Sequence, residues 1–139
     1  MMNVIIYGAS GMVGRGVLLQ SLKATDVEKV VIVVRKSLGL QHDKLEEIIT
    51  SDLNQTEYLE PIQNFDACFY CLGISATGLT EAQYQAVNYD LTIHVANVLV
   101  QSNPNMTFVY ISGAGTDSTE QGKIMWARVK GKTENTLSL

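Results

Sequence analysis

The sequence has little cysteine, few basic residues and no long apolar run, and each shortage excludes a class of protein. Its 139 residues include two cysteines, and 10 lysines and arginines stand against 14 acidic residues. So few cysteines without an export signal indicate reduced thiols rather than a disulfide framework. The formal charge of −4 argues against nucleic-acid binding, which needs a basic face. No apolar run approaches the roughly 20 residues that span a bilayer, so we expect no membrane segment.

The remaining composition is typical of one folded domain. Hydrophobic residues make up 46% of the chain and charged residues 17%, which argues against a disordered protein. The opening run Val4–Tyr7 is too short for the apolar region of a signal peptide, and no basic residue precedes it. We therefore expect a single domain over residues 1–139 and a cytoplasmic location.

Short β-rich runs alternate with helical patterns along the chain. The predicted strands are Asn3–Tyr7, Lys29–Val34, Lys44–Thr50, Ala67–Leu72 and Thr107–Ile111. The predicted helices are Met12–Leu22, a short turn at Thr56–Ile62, Thr80–Ser102 and Lys123–Leu139. The third strand depends on the order of the units, because its Glu46-Glu47 pair also fits a helix. The alternation predicts an α/β doubly wound parallel sheet of strand order 3-2-1-4-5, with a ligand crevice between strands 1 and 4.

A glycine-rich loop lies between the first strand and the first helix. Gly8 lets the chain turn off the strand, Gly11 lets backbone approach a pyrophosphate, and Gly14 lets the helix pack close to the sheet. The helix N-terminus presents free N–H groups to phosphates. An ordinary tight turn is the alternative, but the strand–turn–helix context favours dinucleotide binding. The cofactor-binding residues predicted in this loop are Gly8, Ser10, Gly11, Met12, Val13 and Gly14.

The end of the second strand decides which dinucleotide is favoured. A carboxylate there would bind the adenosine ribose 2′-OH of NAD. Arg35, Lys36 and Ser37 stand there instead, and two cations and a hydroxyl suit a 2′-phosphate. A solvated strand end is the alternative; we favour NADP over NAD. Asp52 is positioned to accept a hydrogen bond from adenine, with Leu53 against the ring, and is otherwise a loop carboxylate or a helix N-cap.

The glycine spacing resembles the short-chain dehydrogenase/reductase superfamily, in particular its extended and atypical branches. Further similar segments follow in order: Ser51-Asp52-Leu53, Cys71-Leu72-Gly73, Val87-Asn88-Tyr89-Asp90, Ile111-Ser112-Gly113 and Lys130-Gly131-Lys132-Thr133-Glu134. The most similar proteins are the Tat-interacting oxidoreductase-like proteins and their bacterial relatives, which are NAD-dependent epimerase/dehydratase-like. This similarity lies in the pattern from Cys71-Leu72-Gly73 through Ser112-Gly113-Ala114-Gly115 to Val129-Lys130-Gly131. The resemblance implies a NAD(P)-binding Rossmann fold with Leu72 and Gly73 beside the cofactor. It also implies an active-site serine at Ser112 and a ribose-binding lysine at Lys130.

One residue of the active-site helix departs from the family pattern. The family carries Tyr-x-x-x-Lys, whereas this chain has Trp126 at the tyrosine position before Lys130. In the family, the phenol exchanges a proton with the substrate oxygen while hydride moves. Indole has no acid that works near neutrality, so Trp126 occupies the catalytic position without a proton to give. Asn88 is expected to hold a water in a relay ending at Lys130, if the replacement has left that relay intact.

The leading interpretation is an NADP(H)-binding dehydrogenase-like oxidoreductase that acts on a small carbonyl or hydroxyl substrate. The main alternative is a sensor or interaction protein that keeps the nucleotide and has lost turnover, and a flavin-type reductase is a third. The family's chains continue through further strands that form the substrate-binding wall, so we expect this chain to be truncated at its C-terminus. The Thr80–Ser102 helix is a candidate face for a homodimer.

We assign no histidine or cysteine of the sequence to a metal site. His42 and His94 have no cysteine or carboxylate partner at such a spacing, so neither is assigned to a metal. Cys68 and Cys71 lie three positions apart on a predicted strand and therefore point to opposite faces. This placement favours core thiols over a shared metal or a disulfide.

Overall fold

Strands alternate with helices in the computed structural model, which describes residues 1–139. The strands are β1 (Met2–Tyr7), β2 (Val27–Val34), β3 (Leu45–Ile49), β4 (Ala67–Tyr70) and β5 (Thr107–Tyr110). The α-helices are α1 (Met12–Lys23), α2 (Glu81–Gln85), α3 (Thr92–Ser102) and α4 (Met125–Leu137). A 3-10 turn spans Thr56–Leu59, and a π-helical segment, Ala86–Leu91, joins α2 to α3.

The five strands form one parallel sheet of order β3-β2-β1-β4-β5. The predicted doubly wound sheet and its strand order are therefore confirmed. The uncertain third unit is a strand, since Leu45–Ile49 pairs residue by residue with Val30–Val34. At the centre, Tyr7 at the end of β1 pairs with Val33 on one side and Tyr70 on the other. The chain order reverses between β1 and β4, which places the ligand crevice at their carboxyl ends.

Helices cover both faces of the sheet, so the central strands are apolar on both sides. Val4 and Ile6 belong to a core cluster with Leu18 of α1. Ile5 and Tyr7, the alternate residues of β1, belong to a second cluster that includes side chains of α3. This alternation explains why β1 reads as an uninterrupted apolar run.

Several predicted elements begin or end one to three residues away from their observed bounds, and one helix differs in kind. Residues 81–102 are helical throughout, but the middle is π-helical, which the apolar spacing alone does not reveal. The last helix begins at Met125 rather than Lys123, because Ile124 before it is extended, with φ −92° and ψ 112°. It ends at Leu137 rather than Leu139, with Ser138 as its C-cap. None of the helices is long and apolar enough to cross a membrane.

Candidate functional site

Two glycines of the loop after β1 lie where no side chain fits. Gly8 has φ +77°, and a Cβ on it would lie 2.6 Å from the carbonyl carbon of Cys71. A Cβ on Gly14 would lie 1.9 Å from the carbonyl oxygen of Gly8. At Gly11 the nearest such atom, again the Gly8 oxygen, is 3.5 Å away. The absence of a side chain at Gly8 and Gly14 therefore allows the turn to pack closely against the end of β4 and against α1. At Gly11 there is space beside the backbone of the loop.

The start of α1 offers its backbone to an anion. Gly11 is the N-cap residue, and neither a side-chain cap nor an acidic residue occupies the first turn. The N–H groups there are left for an external acceptor, and the positive end of the helix dipole points at it. Met12 is 91% exposed and Val13 is 45% exposed, so their contribution to this surface comes from the backbone.

A cavity of about 760 Å³ runs from this loop to the ends of β2 and β3. Its size is within the range of small-molecule and cofactor sites. The predicted residues among its lining are Gly8, Ser10, Arg35, Lys36, Leu53 and Leu72. The glycine cradle, the uncapped helix start and this cavity together fit an adenine dinucleotide, with the diphosphate at the loop and the adenosine toward β2.

The end of β2 carries two free cations. Arg35 and Lys36 are exposed, line the cavity and take part in neither of the molecule's two salt bridges. Ser37 makes a contact that the sequence did not predict, because its Oγ donates to Glu47 Oε1 at 2.6 Å. The backbone N–H of Leu38 donates to Glu47 Oε2 at 2.8 Å. Glu47 of β3 thus fixes the loop after Arg35 and Lys36, and it takes up the hydroxyl expected to bind phosphate.

The segment after β3 reaches the cavity through Leu53 rather than Asp52. Asp52 is exposed, and its Oδ1 accepts from the N–H of Asn54 at 3.0 Å, as a loop carboxylate does. The N-cap of the following 3-10 turn is Gln55, so the N-cap alternative for Asp52 is wrong. The carbonyl of Leu53 accepts from the Tyr58 hydroxyl at 3.2 Å, which fastens Leu53 at the cavity wall.

At the other end of the crevice, Asn88 is 2% exposed and packs beside Gly73. A Cβ on Gly73 would lie 3.3 Å from Asn88 Oδ1. The carbonyl of Asn88, within the π-helical segment, accepts from Thr92 Oγ1 at 3.3 Å and Thr133 Oγ1 at 3.1 Å. These contacts fix the backbone of Asn88, and the water relay from Asn88 to Lys130 stays a prediction.

Ser112, Trp126 and Lys130 gather near the end of β5. The Oγ of Ser112 is buried without a hydrogen-bond partner, an arrangement that costs stability unless a ligand supplies the partner. Trp126 is half-buried and packs beside Gly113, the residue after Ser112. Its Cζ3 lies 3.8 Å from the position that a Cβ on Gly113 would take. Lys130 Nζ lies 3.4 Å from the phenol oxygen of Tyr110, a neighbour that sequence reasoning missed.

The loop between β5 and α4 is held by Asp117. Its Oδ1 accepts from the Thr119 hydroxyl at 2.6 Å and its Oδ2 from the N–H of Gly122 at 2.7 Å. The bond from Thr119, followed by that from Gly122, lowers the pKa of the Asp117 carboxyl. The backbone of Asp117 also lies against Gly131 of α4. A Cβ on Gly131 would lie 1.9 Å from the carbonyl oxygen of Asp117. This close packing fixes α4, and with it Trp126, against the loop.

The metal-ligating side chains are dispersed. No three of the histidine, cysteine, aspartate and glutamate residues lie close enough together to hold a metal ion. Cys68 is a buried free thiol on β4. Cys71 is also a free thiol, but it is half-buried just beyond β4, next to the glycine loop, and so is not a core residue.

Residues 4–123, which contain the glycine loop and the β2 end, match the model of the NAD dependent epimerase/dehydratase family. The chain belongs to this family. The predicted extended branch of the short-chain dehydrogenase/reductase superfamily is thereby confirmed. Family membership also confirms the coarser part of the cofactor prediction, a domain that binds a nicotinamide dinucleotide.

Solved structures share this fold at low sequence identity. The UDP-N-acetylglucosamine 4-epimerase of Methanobrevibacter ruminantium M1 matches with a TM-score of 0.76 and 18% identity, over 99% of this chain and 49% of the epimerase. The dTDP-glucose 4,6-dehydratase of Bacillus anthracis str. Ames, solved in complex with NAD, matches with a TM-score of 0.72 and 13% identity. That match covers 98% of this chain and 49% of the dehydratase. At such identities the likeness shows the Rossmann fold.

A curated relative corrects one expectation. "Protein FMP52, mitochondrial" of Candida glabrata is 28% identical over 134 residues, covering 95% of this chain and 55% of the relative. Proteins of the same name from Kluyveromyces lactis and Eremothecium gossypii are 26% and 27% identical. The expected cytoplasmic location is therefore wrong on this comparison, because these relatives are named as mitochondrial. The chain spans about half the length of the curated relatives it matches.

Proposed function

We propose that this domain binds NADP(H) and serves an oxidoreductase that acts on a small carbonyl or hydroxyl substrate. The observation that carries the proposal is the pair of free cations, Arg35 and Lys36, on the wall of the cavity that begins at the glycine cradle. An extra phosphate on the adenosine ribose would meet both cations. A guanidinium binds phosphate through two parallel hydrogen bonds, which makes Arg35 the stronger of the two contacts.

The carboxylates nearby support NADP rather than NAD. An NAD site of this fold uses a carboxylate at the end of β2 to bind the ribose hydroxyls. Here that position holds Arg35, and both oxygens of Glu47 are engaged by Ser37 and Leu38. Asp52, the other acidic residue of this region, bonds within its own turn. No carboxylate is thus left to select the unphosphorylated ribose.

The chain's own residues suit carbonyl chemistry at the far end of the crevice. When bound, a nicotinamide supplies or accepts hydride. The buried hydroxyl of Ser112 has no partner in the chain and is available to a substrate oxygen. Lys130 is half-buried on α4, where burial lowers the pKa of its ammonium group. Trp126 fills space beside Gly113 and donates no usable proton.

A cofactor-dependent sensor is the second candidate function. Trp126 favours it, because the indole stands where the family's helix carries its acid. Such a protein would keep the nucleotide cavity and change its contacts with a partner when the dinucleotide binds. Both functions require the same NADP(H) site, so nucleotide affinity tests what they share.

The cofactor preference is testable by calorimetry. The parent chain is expected to bind NADPH about tenfold or more tightly than NADH, because hydrogen bonds to charged groups contribute about 1.5–3 kcal/mol each. The double variant Arg35→Ala/Lys36→Ala should bind both nucleotides equally, with NADH affinity within about twofold of the parent. The matched control is Lys29→Ala, which removes a β2 cation that is paired with Glu46 and lies outside the cavity.

Three results are informative. Equal affinities in the parent would contradict the assignment of a 2′-phosphate to Arg35 and Lys36. Binding of neither nucleotide would contradict the dinucleotide site itself. A loss of preference in Lys29→Ala as large as in the double variant would show that general positive charge, rather than these two residues, sets the preference.

A further inference from the structure

Tyr110, the last residue of β5, lies next to the one lysine that the family resemblance places in the site. The Lys130 Nζ lies 3.4 Å from the Tyr110 hydroxyl and 5.3 Å from the centre of its ring. Lys130 forms no salt bridge, since the two in the molecule join other residues. On the side of the sheet, the Lys130 ammonium therefore contacts the hydroxyl and the ring face of Tyr110.

A phenol differs from a carboxylate as a partner for lysine. A carboxylate stabilises only the ammonium form and so resists loss of its proton. The Tyr110 hydroxyl accepts a hydrogen bond from the ammonium, and it donates one to the neutral amine. Lys130 thus keeps a partner in both protonation states. Such a partner holds the nitrogen in place while it gives up and regains a proton.

The other titratable groups around the pair leave this property intact. Glu134, one turn further along α4, raises the pKa of Lys130, but burial has the larger effect and lowers it. Burial also raises the pKa of Tyr110 to about 12; the Thr133 hydroxyl lowers that pKa by a smaller amount, and Tyr84 of α2 and Glu134 add small increases. Tyr110 therefore stays a neutral phenol across the working range of pH, while Lys130 is the member of the pair that titrates more easily.

The pair also lies close to the substrate end of the crevice. Tyr110 precedes by two positions the unpartnered Ser112. Lys130 follows Trp126 by four positions on the same helix, so the two side chains share a face of α4. The lysine is thus one turn from the position where the family has its proton donor.

We propose that Lys130 and Tyr110 form the proton-carrying pair of this site, with Lys130 as the proton donor and Tyr110 as the residue that positions it. This inference rests on the proposed function, from which the reduced dinucleotide provides the hydride that adds to the carbonyl carbon and is itself oxidised. An N–H bond of the Lys130 ammonium breaks, and an O–H bond forms at the carbonyl oxygen as it becomes a hydroxyl. The neutral amine accepts a hydrogen bond from Tyr110 and regains a proton from water.

NMR titration of the lysine side chains tests the pair without any nucleotide. In chain labelled with 13C and 15N, the Cε–Nζ signal of Lys130 is assigned by its loss in Lys130→Arg. We expect it to titrate below the ordinary lysine range. Tyr110→Phe should move its midpoint further down, because the hydrogen bond of the phenol to the charged ammonium is stronger than its hydrogen bond to the neutral amine, and the variant loses both. Tyr89→Phe is the matched control, since Tyr89 also packs on α4 but contacts Thr136 and Lys132. It should leave the midpoint unchanged.

Kinetics give the second readout. With NADPH and a panel of small aldehydes and ketones, Tyr110→Phe should lower kcat about tenfold and leave KM for NADPH within about twofold. The rate of reduction should fall as the pH rises through the Lys130 midpoint, and this limb should move to lower pH in Tyr110→Phe.

The titration decides the inference whether or not the chain turns over. A Lys130 signal in the ordinary range, or a midpoint that Tyr110→Phe does not move, would overturn it. An equal shift in Tyr89→Phe would also overturn it. Failure of the proposed function is distinguishable, because it appears as an absence of NADPH binding in calorimetry and leaves the titration of Lys130 readable.

Discussion

Replacing Gly14 by alanine is expected to abolish dinucleotide binding and to lower the free energy of unfolding by about 3 kcal/mol. The added Cβ would lie 1.9 Å from the carbonyl oxygen of Gly8 and 2.6 Å from its carbonyl carbon. Both atoms are backbone, so the overlap is relieved only if α1 moves away from the turn. The loop would then lose the shape that lets its N–H groups face a diphosphate. Thermal unfolding should show a melting temperature lower by about 10 °C.

Gly16→Ala is the matched control for this prediction. Gly16 lies on the exposed side of the same helix, and a Cβ there would meet nothing within 4 Å. Alanine should stabilise the helix by about 0.5–1 kcal/mol, because glycine is a poor residue for a helix interior. Two glycines of one helix should therefore respond with opposite sign. If Gly14→Ala melted like the parent and still bound NADPH, the close packing of α1 on Gly8 would be refuted.

Trp126→Tyr is expected to raise NADPH-dependent carbonyl reduction about a hundredfold, within the range that a positioned general acid contributes. The new phenol would stand beside Gly113, next to the buried Ser112 hydroxyl and one helical turn before Lys130. A tyrosine there restores the family's proton donor in the same place. Initial rates over a panel of aldehydes and ketones measure the change.

Trp126→Phe controls for the loss of the indole. It keeps an aromatic ring without a hydroxyl, so it should not reproduce the gain. If Trp126→Tyr and the parent both bind NADPH and neither reduces any compound of the panel, the sensor becomes the better account. A gain of equal size in Trp126→Phe would mean that relief of crowding, rather than a new proton donor, raises the rate.

The sheet could be predicted because its causes are local. The runs in β1 and β2 are apolar on both faces, and parallel strands require helical crossovers, so the strand order follows from alternation along the chain. The glycine loop is equally visible, because Gly8 and Gly14 are needed by backbone sterics that any sequence at this turn must satisfy. These constraints act within one βαβ unit and leave a clear pattern in the sequence.

The contacts that modify the site could not be predicted because they join distant segments. Glu47 takes up the Ser37 hydroxyl across two strands, and a glutamate on a predicted strand gives no sign of its partner. The pairing of Lys130 with Tyr110 depends on how α4 packs on β5. The bond from Thr133 Oγ1 to the Asn88 carbonyl likewise joins α4 to the π-helical segment, and no local pattern indicates it.

The π-helical segment has a geometric consequence for the fold. Each residue of an α-helix advances the side chains by about 100°, so one residue more or less changes the direction in which everything beyond it faces. Tyr84 before the segment and Leu99 after it are both buried, and the wider turn between them reconciles the two orientations. If one residue of Ala86–Leu91 were deleted, α3 would rotate about its own axis by roughly a quarter of a turn. The side chains that now cover the sheet would then point partly into water. The π-helical segment thus sets the rotational orientation of α3, so that its apolar side chains face the sheet.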